Sequence, residues 1–404
     1  MELTLGDILE ARERLRSVIY PTELVPSPVL SRCGREVCLK TESLQLTGSF
    51  KVRGAYIKLS SLTPEERGRG VIAASAGNHA QGVALAAQMF GIPATIVMPE
   101  GAPLSKIAST RELGAKVILH GMAYDDAYTR ARELETETGM TYIHAFDDPK
   151  IIAGQGTIGL EILQDLPEVS AIAVPVGGGG MAAGIALAVK RLKPDVLVYG
   201  VEAAGCPSMT AAMAAGHPVA LDSAHTIADG IAVRKVGELP FAICNELLDG
   251  IVTVDDDEIA QTILLLLEKS KIITEGAGAT AAAALLYNKL SDKIPAKGKV
   301  VCVLSGGNID VTMLSRIIDK GMMKAGRLVT LQTVIEDKPG RLHRLLKVIS
   351  ETEANIVSIQ HDRTNLDAGL NNAMLQITLE TQDHAHIERI LRIMAETGYQ
   401  AAAR

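Results

Sequence analysis

The sequence predicts an α/β protein of two open parallel-sheet lobes, followed by a small ferredoxin-like βαββαβ domain. Between residues 71 and 304, short apolar runs alternate with helix-patterned stretches, the rhythm of βαβ units around a parallel sheet. Near residue 325 the rhythm changes. Strand, helix, strand, strand, helix and a short end then follow within roughly 75 residues. The third observation is bulk: 404 residues, 47% of them apolar, allow two or three domains of about 150 residues with a large core.

Residues 1 to about 40 read as a helical start and then an extended piece with Pro21, Pro26 and Pro28, of the kind that wraps over a surface. A first series of units has strands at 71–74, 94–98, 117–120 and 142–144, with helices at 80–90, 104–113 and 124–137 between them. The second series runs helix 157–166, strand 172–176, helix 182–192, strand 197–201. Alanine- and leucine-rich helices fill 258–288, and 300–304 is a last buried strand. Ligands of open α/β sheets lie beyond the carboxyl ends of the strands. After the change of pattern, strands are expected at 328–335, 355–360 and 374–379, helices at 342–351 and 385–396, and a short end from 399. The domain boundary is therefore placed at 325/326, giving 1–325 and 326–404.

Lys51 lies in Ser43-Leu44-Gln45-Leu46-Thr47-Gly48-Ser49-Phe50-Lys51-Val52-Arg53-Gly54-Ala55, followed by a helical apolar set at Val52, Ala55, Tyr56 and Leu59. With Ser49 or Thr47 as N-cap, Lys51 falls in the first turn, where the helix dipole disfavours its ammonium form. Such a lysine can serve as a Schiff-base nucleophile or general base. A solvated surface lysine is the bland alternative.

Three glycine-bearing turns follow expected strands. Ser75-Ala76-Gly77-Asn78-His79 combines close backbone approach with the paired donor and acceptor of Asn78; alternatively Ser75 and Asn78 only cap the next helix. Gly177-Gly178-Gly179-Gly180 forms a nest of N–H groups at a helix start, suited to phosphate. A dinucleotide fingerprint, with Glu202 as the ribose acid, competes weakly there, as does a purely structural turn. Ser305-Gly306-Gly307-Asn308 presents a neutral hydroxyl at the sheet edge, or an N-cap for a helix near 311–318. A lysine for an aldehyde, a glycine cup for a phosphate and a hydroxyl for a ring nitrogen together point to pyridoxal phosphate.

With these four motifs in this order, the whole chain resembles the threonine ammonia-lyases (threonine dehydratases), fold-type II pyridoxal-phosphate enzymes of tryptophan synthase β-like architecture, in a form with one C-terminal ACT domain. The resemblance implies that Lys51 forms the Schiff base and removes the Cα proton. It implies Phe50 on the cofactor ring, Asn78 at the 3-hydroxyl, Gly177 to Gly180 at the phosphate and Ser305 at the pyridine nitrogen. Ser75, Asn78 and His79 would hold the substrate carboxylate. Deamination of L-threonine to 2-oxobutanoate, and of L-serine to pyruvate, follows as the expected activity. Serine racemases of this fold carry a serine where this chain has Ala76, so racemisation is not expected. Relatives with a divalent site pair an acid like Glu202 with an aspartate six residues on; Ser208 stands there, so no divalent metal is expected. Asp337-Lys338-Pro339-Gly340-Arg341-Leu342 resembles the ACT turn between first strand and first helix. Asp337, Pro339, Gly340 and Leu342 are its candidate effector residues, with subunit contacts through sheet edges as the other use of this domain. A dimer or tetramer is expected. Cysteine synthase-like β-replacement and a vestigial amino-acid-binding regulator are the competing readings, and the intact Lys51 weighs against the second.

The net charge of -7 argues against a nucleic-acid partner, which needs a basic face. Cys33, Cys38, Cys206, Cys244 and Cys302 are scattered without a C-x-x-C, which suits a reducing compartment. No signal-peptide pattern opens the chain, and apolar runs such as 263–267 are too short to span a bilayer. A soluble cytoplasmic protein without a membrane partner is expected.

Overall fold

The structure, a computed structural model, describes residues 3–31 and 35–403, so Cys33 lies outside the described residues. Two compact units divide between Asp310 and Val311.

The first unit opens with α1 (Leu5–Leu15), whose N-cap Thr4 forms a capping box with Asp7, then β1 (Leu24–Pro26) and β2 (Arg35–Lys40). Next come α2 (Lys51–Ser60), α3 (Pro64–Arg69), β3 (Val71–Ala74), α4 (Asn78–Phe90), β4 (Ala94–Met98), α5 (Leu104–Glu112), β5 (Lys116–Leu119), α6 (Tyr124–Thr138) and β6 (Thr141–Tyr142). They are followed by α7 (Pro149–Asp165), β7 (Val169–Pro175), α8 (Gly180–Leu192), β8 (Leu197–Ala203), α9 (Ser208–Ala215), α10 (Glu238–Leu247) and β9 (Gly250–Val254). The unit closes with α11 (Asp256–Leu265), α12 (Gly276–Leu286) and β10 (Gly298–Val303).

The strands form two sheets. The smaller is parallel throughout in the order β5-β4-β3-β6, and the larger runs β1-β2-β10-β7-β8-β9, with only β1 antiparallel to its neighbour. Helices pack on both, and the central strands β3 and β4 of the smaller sheet are continuous apolar runs buried throughout, whereas its edge strand β5 is exposed at both ends. The N-terminal segment is not merely draped over the surface, because β1, ending in Pro26, pairs with β2 as the edge strand, and β2 pairs with β10 inside the larger sheet.

Two local expectations change. The helix expected from 157 begins at Pro149, capped by Asp148. Gly154 and Gly156 weaken the helical pattern of its first half. A Cβ at Gly154 would meet the Gly54 backbone at 2.6 Å, and one at Gly156 the Gly184 carbonyl at 2.8 Å. These glycines serve close helix packing. The second change is that neither Ser49 nor Thr47 caps α2, since its N-cap is Phe50, without a side-chain cap. Ser49 is extended and pairs with Gly306, while Thr47 adopts φ 60.

The second unit begins with α13 (Val311–Lys324), which packs on β11 (Leu328–Glu336). The compact unit therefore starts ahead of the 325/326 boundary. There follow α14 (Arg341–Ser350), β12 (Asn355–Asp362), β13 (Asn372–Glu380), α15 (His384–Glu396) and β14 (Ala401–Ala403). The sheet is antiparallel in the order β12-β13-β11-β14, the ferredoxin-like arrangement, over a core that includes Leu331, Leu345, Ile349, Leu375, Ile390 and Met394. No helix among the described residues is long and apolar enough to cross a membrane.

Candidate active site

Parallel strands place their following loops at the carboxyl edge of their sheet, and the motifs read from sequence follow β3 of the smaller sheet and β7 and β10 of the larger. Lys51 opens α2, half-buried, with its Nζ donating to the Ala145 carbonyl at 3.0 Å and 5.1 Å from the Phe50 ring centroid. Burial pushes its pKa down from 10.5 to about 8, partly opposed by the Glu275 carboxylate. A neutral amine is thus accessible near physiological pH, as nucleophilic or basic use requires.

The turn after β10 runs beside the segment that carries Lys51. The Phe50 N–H donates to the Ser305 carbonyl at 3.2 Å, Ser49 bridges Gly306, and the Gly307 N–H donates to the Gly48 carbonyl at 2.9 Å. Ser305 is buried and precedes α13 by several residues, so it is not that helix's N-cap.

The four glycines after β7 lead into α8, with Gly179 as N-cap at φ 92. A Cβ at Gly178 would run into the Phe146 ring, and at Gly180 would meet the Phe146 carbonyl at 2.8 Å. A Cβ at Gly177 would meet the Ile231 backbone at 2.8 Å. Side chains are excluded because Phe146 and Ile231 crowd one side of the loop. The first N–H groups of α8 have no partner within their own helix. Phe146 adjoins Ala145, the acceptor for Lys51, so a single segment after β6 joins the lysine to the glycine loop.

The described chain matches two families of known proteins. Residues 15–306 match the family described as pyridoxal-phosphate dependent enzyme, and residues 325–397 match the ACT domain. The chain is a member of the pyridoxal-phosphate dependent enzymes. It is 50% identical over 400 residues to the L-threonine ammonia-lyase of Thermotoga maritima, covering 98% of each chain. Among solved structures, it resembles the processed threonine deaminase isoform 2 of Solanum lycopersicum at 42% identity and TM-score 0.75, over 79% of this chain and 87% of that one. Maize serine racemase is also similar, at 32% identity and TM-score 0.75, over 80% of this chain and 99% of that one.

Pyridoxal 5'-phosphate is the cofactor of this pyridoxal-phosphate dependent enzyme, and the site fits it. The amine of Lys51 has a lowered pKa, the glycine loop admits no Cβ, and Ser305 adds a buried hydroxyl that carries no charge.

Asn78 and His79 open α4, whose N-cap is Gly77 without a side-chain cap, so Ser75 and Asn78 do not simply cap this helix. Ser75 Oγ instead accepts from the Gly77 N–H at 3.1 Å. Asn78 Nδ2 donates to Glu275 Oε1 at 2.6 Å, and its Oδ1 accepts from Asn308 Nδ2 at 2.8 Å. The His79 ring is turned inward and donates from Nε2 to the Ile143 carbonyl at 2.9 Å. Burial, reinforced by Lys51, pushes its pKa down to about 3, so the ring stays neutral.

Glu202 is no ribose acid, because its carboxylate holds the start of α9. It accepts from the Met209 N–H at 2.7 Å, the Thr210 N–H at 2.9 Å and Thr210 Oγ1 at 2.6 Å. The sequence reading missed Glu275, Ala145 and Phe146. Glu275 precedes Gly276-Ala277-Gly278, a glycine-bearing helix start that could have flagged it; nothing local marks Ala145 or Phe146.

In the second unit, a cavity of about 290 Å³ is lined by residues that include Asp337, Pro339, Gly340, Leu342, His361 and Arg363. Asp337 pairs with Arg363 at 3.1 Å, and Gly340 is the N-cap of α14 at φ 86. All four effector candidates therefore line one cavity.

Proposed function

We propose that this enzyme deaminates L-threonine by β-elimination to 2-oxobutanoate and ammonia, takes L-serine to pyruvate by the same route, and is regulated by an amino acid bound in the ACT domain. The observation that carries the reading is Lys51 Nζ, held by the Ala145 carbonyl between the glycine loop and Ser305, with its ammonium form disfavoured.

Bound pyridoxal phosphate supplies an aldehyde for the substrate amine and a conjugated ring to accept the Cα electron pair. Gly177 to Gly180 would hold its phosphate through N–H groups at the start of α8. Phe50 would pack on its ring, and Asn78 would offer the 3-oxygen the Nδ2 hydrogen that Glu275 leaves unused. Ser305 meets the ring nitrogen with a hydroxyl, which, unlike a carboxylate, does not favour protonation there. The substrate carboxylate is held by the Ser75–His79 loop. His79 contributes its N–H at the start of α4, because its ring is committed to Ile143. Lys51 Nζ would take the Cα proton while the β-hydroxyl leaves, protonated, as water; hydrolysis of the released enamine then gives the 2-oxo acid and ammonia.

Elimination is favoured over the racemisation named for the maize neighbour because Ala76 has no group to protonate Cα from the opposite face. Assay of the full chain with L-threonine and L-serine, reading 2-oxo acid by coupled reduction, tests the proposal. Product from both is expected, with nearly all turnover lost in Lys51→Ala. Substantial oxo-acid formation by that variant would overturn the role of Lys51.

A further inference from the structure

We propose that Glu275 is a positioning residue, clamping the Asn78 amide through a closed polar strap so that one Asn78 N–H faces the cofactor. This rests on the reading of Asn78 as the partner of the cofactor's 3-oxygen.

The strap joins segments far apart in sequence. Glu275 Oε1 accepts from Asn78 Nδ2 at 2.6 Å, and Asn78 Oδ1 accepts from Asn308 Nδ2 at 2.8 Å. Asn308 spends its other amide hydrogen on the Thr47 carbonyl at 2.7 Å, and its backbone N–H returns to the Glu275 carboxylate. An asparagine amide has two donors and one acceptor oxygen. In this ring the Asn78 oxygen cannot exchange places with its nitrogen, because the nitrogen would then face the Asn308 amide nitrogen, itself fixed by the Thr47 carbonyl. One Nδ2 hydrogen of Asn78 is left for a ligand.

The glycines of two motifs make room for the strap. A Cβ at Gly306 would run into Glu275 Oε1 and lie 2.9 Å from Asn78 Nδ2. One at Gly48, already at φ 68, would meet Asn308 Oδ1 at 2.5 Å. These two glycines thus clear space for a protein–protein hydrogen-bond network beside the cofactor.

Glu275 is buried at the N-terminus of α12, and its side chain does not cap its own helix. Asp229 opposes its charge, Lys106 favours it, and Lys51 is coupled to it. Burial first, then Asp229, raises its pKa from 4.5 to about 7. The strength of the strap therefore changes across neutral pH, since an ionised acceptor makes the stronger hydrogen bond.

The test uses the full chain, stripped of cofactor and reconstituted with pyridoxal phosphate, and compares Glu275→Gln, Glu275→Ala and Asn78→Ala with the parent. The readouts are cofactor Kd and the visible absorption of bound cofactor against pH. Glu275→Ala should weaken cofactor binding by roughly tenfold to a hundredfold, the worth of a hydrogen bond to a charged group. Glu275→Gln, the same size but without a titrating group, should bind cofactor near the parent level. The parent should show a spectral change near pH 7, and this variant should lose it. If Asn78→Ala alters spectrum and affinity while both Glu275 variants match the parent, the clamp is refuted and the Asn78 reading stands. If Asn78→Ala itself leaves both readouts unchanged, the Asn78 reading fails and the clamp falls with it.

Discussion

Arg53 is fully buried two residues beyond Lys51, and removing it should destabilise the catalytic unit more than any surface change. Its guanidinium donates to Glu42 Oε2 at 2.8 Å and Oε1 at 2.7 Å, and to Glu161 Oε1 at 2.5 Å and Oε2 at 2.9 Å. Lys40, also fully buried, pairs with Glu161 at 2.7 Å. The cluster thus holds two cations and two anions, tying the start of α2 to α7 and to the segment before Lys51. Burial alone would lower the pKa of Arg53, and Glu42 and Glu161 raise it instead. Arg53→Met leaves two carboxylates facing one ammonium. Breaking a buried pair by deleting one partner costs about 3–5 kcal/mol, mostly the penalty of the charge left behind. Glu42→Gln in the same chain restores neutrality, and Thr22 Oγ1, which donates to Glu42 Oε1 at 2.5 Å, can still donate to the amide oxygen. The double variant should therefore lose less than the sum of the single losses by about 1 kcal/mol or more. Urea unfolding of the cofactor-free chain, followed by circular dichroism, measures all three. A single-variant loss below about 1 kcal/mol, or strict additivity in the double, would refute the account of an electrostatically coupled cluster.

Capture of pyridoxal phosphate by the cofactor-free chain should accelerate as pH rises through about 8, where Lys51 becomes neutral; stopped-flow absorbance showing a midpoint near the ordinary 10.5 would contradict it. The sign for stability agrees: between these two values the folded amine binds fewer protons than the unfolded one, so Lys51 contributes rising stability across that window. Gly178→Ala places a methyl against Phe146 and should cost about 1–3 kcal/mol while raising the cofactor Kd, with partial recovery when Phe146→Ala is added. An unchanged Kd in the single variant would count against a phosphate cup there. Calorimetry of the full chain against isoleucine and valine, which carry no β-hydroxyl to eliminate, should show binding that Asp337→Ala and Gly340→Asp abolish. Failure of both to bind, or binding unchanged in the two variants, would remove the regulatory role of this cavity.

Much of the fold was legible because its information is local. The strands Val71–Ala74 and Ala94–Met98 coincide with the apolar runs read for them, since a strand covered on both faces must be apolar throughout. The βαββαβ order of the second unit was equally plain from alternation and helical period. The glycine turns announced themselves by composition and by following strands. Local reading failed where glycine had another purpose. The start of α7 was hidden by glycines that serve helix contact, and the capping of α2 was misassigned because Ser49 is drawn into a bridge with Gly306.

The sequence by itself determined the two-lobed α/β architecture, the order of the cofactor motifs and the candidate lysine, because periodicity, turn chemistry and residue type act over a few residues. Only the tertiary structure decided what those residues touch. It turned the His79 ring to Ile143, committed Glu202 to the start of α9 and brought Glu275 to Asn78 across 197 positions. It also set Ala145 against Lys51 across 94. Such contacts arise where the carboxyl ends of separate strands meet, and the identity of a partner that distant leaves no pattern in the neighbourhood of either residue.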